Sequence, residues 1–389
     1  MAKRKKNIGV ISNALSLTVC PWRSNNQVQL HINAEAFFPA MLEGIKQARH
    51  YILLEMYLFE SGIVATQFIE NFVEAANRGV KVYLLLDDYG CRGLKAKDRK
   101  LLEHDNIAIN YYNPLRYGAY RRNLFRDHRK ILVIDQTAAY IGGAGITDEF
   151  RTFDKFNPGW RETMIEVRGN CVPDWVTAFC HVWELYDKIE LTSKQNNQTN
   201  ADRNTRCRVV CGLGSGRQSI KKSIVNQIRG SQKQCWIATA YFVPSFKIRR
   251  ALYRAAQRGI DVRLLLPGPI SDHPAIRLAA RRFYYNLLRA GVKIYEYQPR
   301  FMHQKVILCD DWVSIGSSNI DRWNFRWNLE ANQEIDSLDF SQQVKTMFQH
   351  DFEHSKLYQF ETWEKRSWYH RLQEWFWGHV DRFVDRYIR

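Results

Sequence analysis

Apolar positions in this chain fall into short runs spaced by amphipathic stretches, and the order of these pieces occurs twice. Tyr51 to Phe59 and Cys235 to Val243 are strand-like runs. Downstream, Ala75-Ala76-Asn77-Arg78-Gly79-Val80-Lys81-Val82 resembles Ala255-Ala256-Gln257-Arg258-Gly259-Ile260-Asp261-Val262, and both run on into three leucines. Each piece reads as a helix end, a glycine C-cap and a buried strand. A third apolar run, Ile131 to Ile134 and Val306 to Leu308, closes each set. Strand, helix, strand, helix, strand in both halves predicts an α/β fold, a sandwich with helices covering the sheet.

The stretch from Lys188 to Arg206 is rich in Asn, Gln, Thr and charge, lacks an apolar period and reads as an exposed linker. The expected division is therefore a first half at 1–190, a linker at 191–207, a second half at 208–355 and a tail at 356–389. A pseudo-twofold arrangement of the halves would bring the two closing strands together at one shared site.

The tail differs in kind. It holds Trp363, Trp368, Trp375 and Trp377, with Leu372, Phe376, Val380, Phe383, Val384 and Tyr387 near a helical period and charged residues on the other face. A Trp- and Phe-rich face beside arginine suits the headgroup level of a bilayer. The alternative is a terminal helix docked on the core. At the other end, Met1 to Lys6 is basic but no apolar segment follows, so no signal peptide is expected. No stretch approaches the roughly 18 apolar residues of a spanning helix, so membrane contact is expected to be peripheral.

Composition narrows the partner. The 389 residues carry Lys+Arg 57 against Asp+Glu 40, a formal charge of +17, which favours an anionic surface or substrate. The eight cysteines form no C-x-x-C pair and no zinc-ligand spacing, so they read as reduced core residues.

The candidate chemistry lies at the mouth of the third apolar run. His128-Arg129-Lys130 is followed by Asp135, and His303-Gln304-Lys305 by Asp310, so H-x-K-x4-D occurs in each half. On a strand, His and Lys two residues apart share a face and set an imidazole beside a fixed cation, which suits a phosphoryl group. Exchange of a phosphodiester by a covalent route needs one group to attack and one to protonate the leaving alcohol, and two histidines supply both. Lys130, Lys305 and Asn319 would hold the non-bridging oxygens of the transition state. Two ammonium groups supply the positive charge, so no metal and no cofactor are expected. Glu330 and Glu162 are candidates to orient the imidazoles through their second nitrogens. Within the candidate catalytic set, Asp135 and Asp310 are expected to fix local structure rather than touch substrate.

The doubled motif, with Gly316-Ser317-Ser318-Asn319 and Asn328-Leu329-Glu330-Ala331-Asn332 downstream, resembles the phospholipase D superfamily. Together with the basic aromatic tail it resembles the bacterial cardiolipin synthases of the shorter type without N-terminal spanning helices. The resemblance implies a duplicated phospholipase D-like α/β sandwich whose pseudo-twofold halves form one active site. It implies transfer of a phosphatidyl group from phosphatidylglycerol or phosphatidylethanolamine to phosphatidylglycerol through a phosphohistidine, with His128 attacking and His303 as acid and base; the reverse assignment stays open. It implies a peripheral protein on the cytoplasmic face of a bacterial membrane, bound to an anionic surface, with no nucleic acid. The rivals are a phosphodiesterase or nuclease of the same superfamily and a non-catalytic lipid-binding protein.

One position departs from the pattern. The first half reads Gly142-Gly143-Ala144-Gly145, with Gly145 where the family pattern has Asn, so one amide donor is missing from the cradle. Tyr57 and Tyr241 are expected at equivalent strand ends, lining the mouth of the site.

Overall fold

The computed structural model describes residues 18–154, 156–189, 191, 205–213, 218–369, 372–373, 375–377 and 379. Its first half contains β1 (Arg23–Ile32), α1 (Ala34–Gln47), β2 (Tyr51–Met56), α2 (Ile63–Asn77), β3 (Lys81–Asp87) and α3 (Ala96–Leu101). It continues with β4 (Ile107–Tyr112), β5 (Arg126–Asp127), β6 (Lys130–Ile134), β7 (Ala138–Gly142), β8 (Thr163–Gly169) and α4 (Val172–Trp183). The second half repeats the plan with β9 (Thr205–Leu213), α5 (Ser219–Gly230), β10 (Gln234–Thr239), β11 (Phe242–Val243), α6 (Phe246–Gln257) and β12 (Asp261–Pro267). Then come α7 (Pro274–Arg281), α8 (Tyr284–Arg289), β13 (Lys293–Tyr297), β14 (Lys305–Cys309), β15 (Trp312–Gly316), β16 (Ile320–Asp321) and α9 (Arg322–Trp327). The last elements are β17 (Asn328–Asp336), α10 (Leu338–Glu353), β18 (Ser355–Tyr358) and α11 (Phe360–Glu364).

The sheet carries the duplication in its strand order. From the antiparallel junction of β1 with β9, one side runs β8-β7-β6-β2-β3-β4 and the other β17-β15-β14-β10-β12-β13, with β18 added at the far edge. The parallel strands are β2-β3-β4 and β10-β12-β13; the motif strands β6 and β14 run antiparallel to β2 and β10. Each half therefore has one more parallel strand than the sequence pattern predicts, β4 or β13, and the motif strand is followed by two further strands. Both motif strands alternate between two cores. Ile131, Val133, Val306 and Leu308 share one central core with Trp175 and Phe179 of α4 and Phe348 of α10. Leu132 and Ile134 face the core under α1 and α2, and Ile307 and Cys309 the one under α5 and α6.

The boundaries differ from the expected division at two places. Strand β9 starts at Thr205 and buries Cys207, so the last residues of the expected linker belong to the sheet; residues 192–204 of that linker lie outside the described residues. The expected tail begins inside the fold, because β18 pairs with β13 and Trp363 of α11 is 2% exposed, packed on Tyr284 and Tyr358. Trp363 is thus a core residue, while Trp368, Trp375 and Phe376 are exposed; Val380, Phe383, Val384 and Tyr387 lie outside the described residues. All eight cysteines are unpaired, seven of them buried.

Asp135 and Asp310 end the motif strands in matching ways. Asp135 has φ +48° and accepts the backbone N–H groups of Arg49, His50 and Tyr51 at 2.6, 2.8 and 2.7 Å. Asp310, at φ +51°, does the same for Gln232, Lys233 and Gln234 at 2.7, 2.9 and 3.0 Å. Each carboxylate ties the foot of a motif strand to the start of its neighbour, five residues and about 16 Å from the lysine at the other end.

Candidate active site

The two motifs meet through the backbone of the opposite half. β5 pairs with the start of β17, and the His128 N–H donates to Leu329 O at 2.9 Å. In the mirrored place, the His303 N–H donates to Arg161 O at 2.8 Å. The next residues, Glu330 and Glu162, thereby come under the imidazole rings. Glu330 Oε1 lies 3.0 Å from His128 Nδ1, and Glu162 Oε2 lies 2.7 Å from His303 Nδ1. Neither half holds a complete histidine–glutamate pair. The histidines stand just before the strands rather than within them, since β6 and β14 begin at Lys130 and Lys305.

Both lysines are buried beside their histidines. Lys130 Nζ donates to His128 O at 2.7 Å, and Lys305 Nζ donates to His303 O and sits 3.6 Å from Glu162. Burial, then the charges of both lysines, hold the His128 and His303 imidazoles well below their usual range. Desolvation brings Lys130 down to about 7 and also lowers Lys305. The same burial lifts Glu162 to about 7 and Glu330 to about 8, against the pull of the lysines. Each His–Glu pair thus shares a proton on the Nδ1 side and turns Nε2 away from the glutamate; at His303, Lys305 Nζ lies 3.1 Å from that nitrogen. Two such nitrogens beside two cations are equipped to attack phosphorus and to pass a proton to oxygen.

A model of the family described as "Cardiolipin synthase, PLD-like domain" matches residues 41–153 and 224–352. Cardiolipin synthase A of Pseudomonas putida (strain W619) is 32% identical over 358 residues, which is 91% of this chain and 74% of that protein. Probable cardiolipin synthase YwiE of Bacillus subtilis is 30% identical, over 86% of this chain and 67% of its own length. The chain belongs to the cardiolipin synthase family. The fold agrees with that of a phosphatidylserine synthase of Haemophilus influenzae, at a TM-score of 0.72 and 15% identity over 98% of both chains.

Within this family fold the two halves of the site are unequal. Ser317 Oγ donates to Glu330 Oε2 and accepts the Ala331 N–H at 3.1 Å, whereas Glu162 is held by the Thr163 N–H at 2.8 Å. Gly143 stands where the second half has Ser317, and a Cβ there would lie 2.2 Å from Glu162 Oε2. Gly145 stands opposite Asn319 for a similar reason: its Cβ would lie 2.7 Å from Leu58 Cβ and 2.8 Å from Leu58 O. The backbone at Leu58 has therefore taken the volume of the missing amide, and the Ile146 N–H bonds that same carbonyl at 2.8 Å. Asn319 is fully buried; its Oδ1 faces Thr239 Oγ1 at 3.4 Å and its Nδ2 has no hydrogen-bond partner among the described residues.

The aromatic walls differ too. Tyr57 meets the His128 ring edge-on at 4.8 Å, with Lys130 Nζ 4.9 Å from its centroid. Tyr57 and Tyr241 are not equivalent: Met56 pairs with Lys130 and Thr239 with Lys305, so Tyr57 aligns with Ala240. The Tyr241 hydroxyl instead donates to Asp272. Around His303 stand Trp160, Phe150 and Phe301, at 5.3, 5.7 and 5.8 Å between centroids. Of these rings, Phe301 alone lies close to the motif in sequence, two residues before His303. Among the described residues no helix is long and apolar enough to cross a membrane.

Proposed function

We propose that this chain makes cardiolipin by transferring a phosphatidyl group from phosphatidylglycerol or phosphatidylethanolamine to the glycerol hydroxyl of a second phosphatidylglycerol. His128 Nε2 attacks phosphorus, the P–O bond to the leaving alcohol breaks, and His303, entering this step with one proton on Nε2 and a second on Nδ1 shared with Glu162, gives that oxygen the Nε2 proton. The incoming hydroxyl then loses its proton to His303, its oxygen attacks phosphorus, and the P–N bond to His128 breaks. Lys130, Lys305 and the Asn319 amide hold the non-bridging oxygens as charge builds. The protein works peripherally at an anionic bilayer, on the cytoplasmic face of a bacterial membrane.

The observation that carries the reading is the crossed pair of histidines, each backed at Nδ1 by a glutamate of the other half, in a chain of this family. The test is incubation of the purified full chain with vesicles of defined lipid, with products read by mass spectrometry. Cardiolipin formed from phosphatidylglycerol alone supports it. Hydrolysis of a nucleic acid with no lipid product overturns it.

A further inference from the structure

Two loops leave the sheet at the edge that holds the histidines, and each exposes aromatic rings at its tip. In the first, residues 113–125, Tyr117 is fully exposed and Tyr120 85% exposed. In the second, Phe156 is 85% exposed. Neither tip is slack. Asn123 Nδ2 donates to Arg116 O at 2.8 Å while its Oδ1 accepts the Arg116 N–H at 3.1 Å, and Asn113 Nδ2 donates to Arg122 O and Phe125 O. Asp154 Oδ1 accepts the N–H groups of Phe156 and Asn157 at 2.7 and 2.9 Å. Hydrogen bonds thus brace the backbone of both tips, on which the rings stand exposed.

The bases of both loops reach the chemistry. Phe125 packs on Trp327 of α9 at 5.1 Å and is three residues from His128. Trp160 closes the second loop against His303. Residues 113–125 also hold Arg116, Arg121 and Arg122 and no acidic residue, so the aromatic tip carries a charge of one sign. The first tip, rings with arginine behind them, matches the interface of an anionic bilayer, with rings among the headgroups and guanidinium groups on phosphate, and the second adds the Phe156 ring beside Asp154. In β18, Ser355 lies beside Tyr297 and Tyr358 beside Ile294, so the chain leaves the sheet at the end away from the histidines.

Resting on the phosphatidyl-transfer reading, we infer that the Tyr117–Tyr120 and Phe156 loops are the membrane-docking rim of the site, pressing its mouth onto an anionic phospholipid surface. Vesicles of phosphatidylglycerol in phosphatidylcholine are sedimented with the full chain, with a Tyr117→Ser/Tyr120→Ser/Phe156→Ser variant, and with a Trp368→Ser/Trp375→Ser variant. Turnover is measured on the same vesicles and on a short-chain phosphatidylglycerol kept below its micelle concentration. The loop variant is expected to bind vesicles at least about tenfold more weakly, from the apolar area it no longer buries, and to keep its turnover on dispersed lipid. Parent-like vesicle binding by the loop variant overturns the inference, as does loss of binding confined to the tail variant. Binding of the parent to a single-stranded oligonucleotide in preference to vesicles overturns it as well. Because binding is read without turnover, failure of the transfer reading leaves this result standing on its own.

Discussion

Glu162 Oε2 lies 2.7 Å from Nδ1 of His303, a residue 141 positions further along the chain and in the opposite half. Glu330 and His128 repeat the relation across 202 positions. A carboxylate behind Nδ1 fixes the tautomer that leaves Nε2 as the working nitrogen. Glu162→Gln and Glu330→Gln should each lower kcat by about 100-fold or more with little change in lipid binding. A variant with parental kcat would make that glutamate a mere packing residue.

The roles of the histidines separate with a donor whose leaving group needs no proton. With a phosphatidyl ester of p-nitrophenol, His303→Ala should release one burst of p-nitrophenol and retain phosphorus on the protein. His128→Ala should give neither. The opposite pattern would exchange the two assignments.

Lys130 is brought down to about 7 by burial, so its ammonium is lost as pH rises through that value. Glu162, lifted to about 7, and Glu330, lifted to about 8, lose the protons of their histidine pairs over the same range. For the free enzyme, kcat/KM should therefore fall on the alkaline side from about pH 7. A bound phosphodiester anion favours the ammonium, so the alkaline limb of kcat should lie at higher pH. Coincident limbs in the two profiles would count against Lys130 as a phosphate ligand.

Restoring the family residue at position 145 should harm the protein. Gly145→Asn drives a Cβ into Leu58, and overpacking of this kind destabilises by about 1–3 kcal/mol. A lower Tm with no gain in lipid affinity is expected. A gain in turnover at unchanged Tm would show that the loop of Leu58 yields.

Asp310→Ala should lower Tm through loss of three accepted N–H groups, at about 1–3 kcal/mol, with kcat per folded molecule kept. Asp310→Asn should recover part of that stability, since Asn tolerates the positive φ and retains one acceptor. A collapse of kcat in folded Asp310→Asn would move this residue into the chemistry.

The duplication was legible because its markers are local: Gly79 and Gly259 each end a helix at positive φ before a buried strand. Strand β4 was not, because it runs along a sheet edge with half-buried residues and shows no strong apolar period. The tail misled at Trp363, since a tryptophan reads alike whether its ring meets lipid or Tyr284. Which glutamate serves which histidine has no signature at all in spacing, because the pairing is made by β5 lying along β17 and by Arg161 bridging to Met302. The wall of His303 was hidden likewise, as Phe150 and Trp160 reach it from the other half.

The sheet that runs unbroken from β4 through the β1–β9 junction to β13 has an evolutionary consequence. In an assembly of two identical subunits, any substitution at the axis appears on both sides at once, and each must tolerate its own reflection. A single chain is free of that restriction. Gly143 corresponds to Ser317, Gly145 to Asn319, and Tyr57 to Ala240, so three pairs of twin positions have already drifted apart. Selection can therefore sharpen one imidazole for bonding to phosphorus and the other for handling protons, a specialisation closed to any perfectly symmetric ancestor.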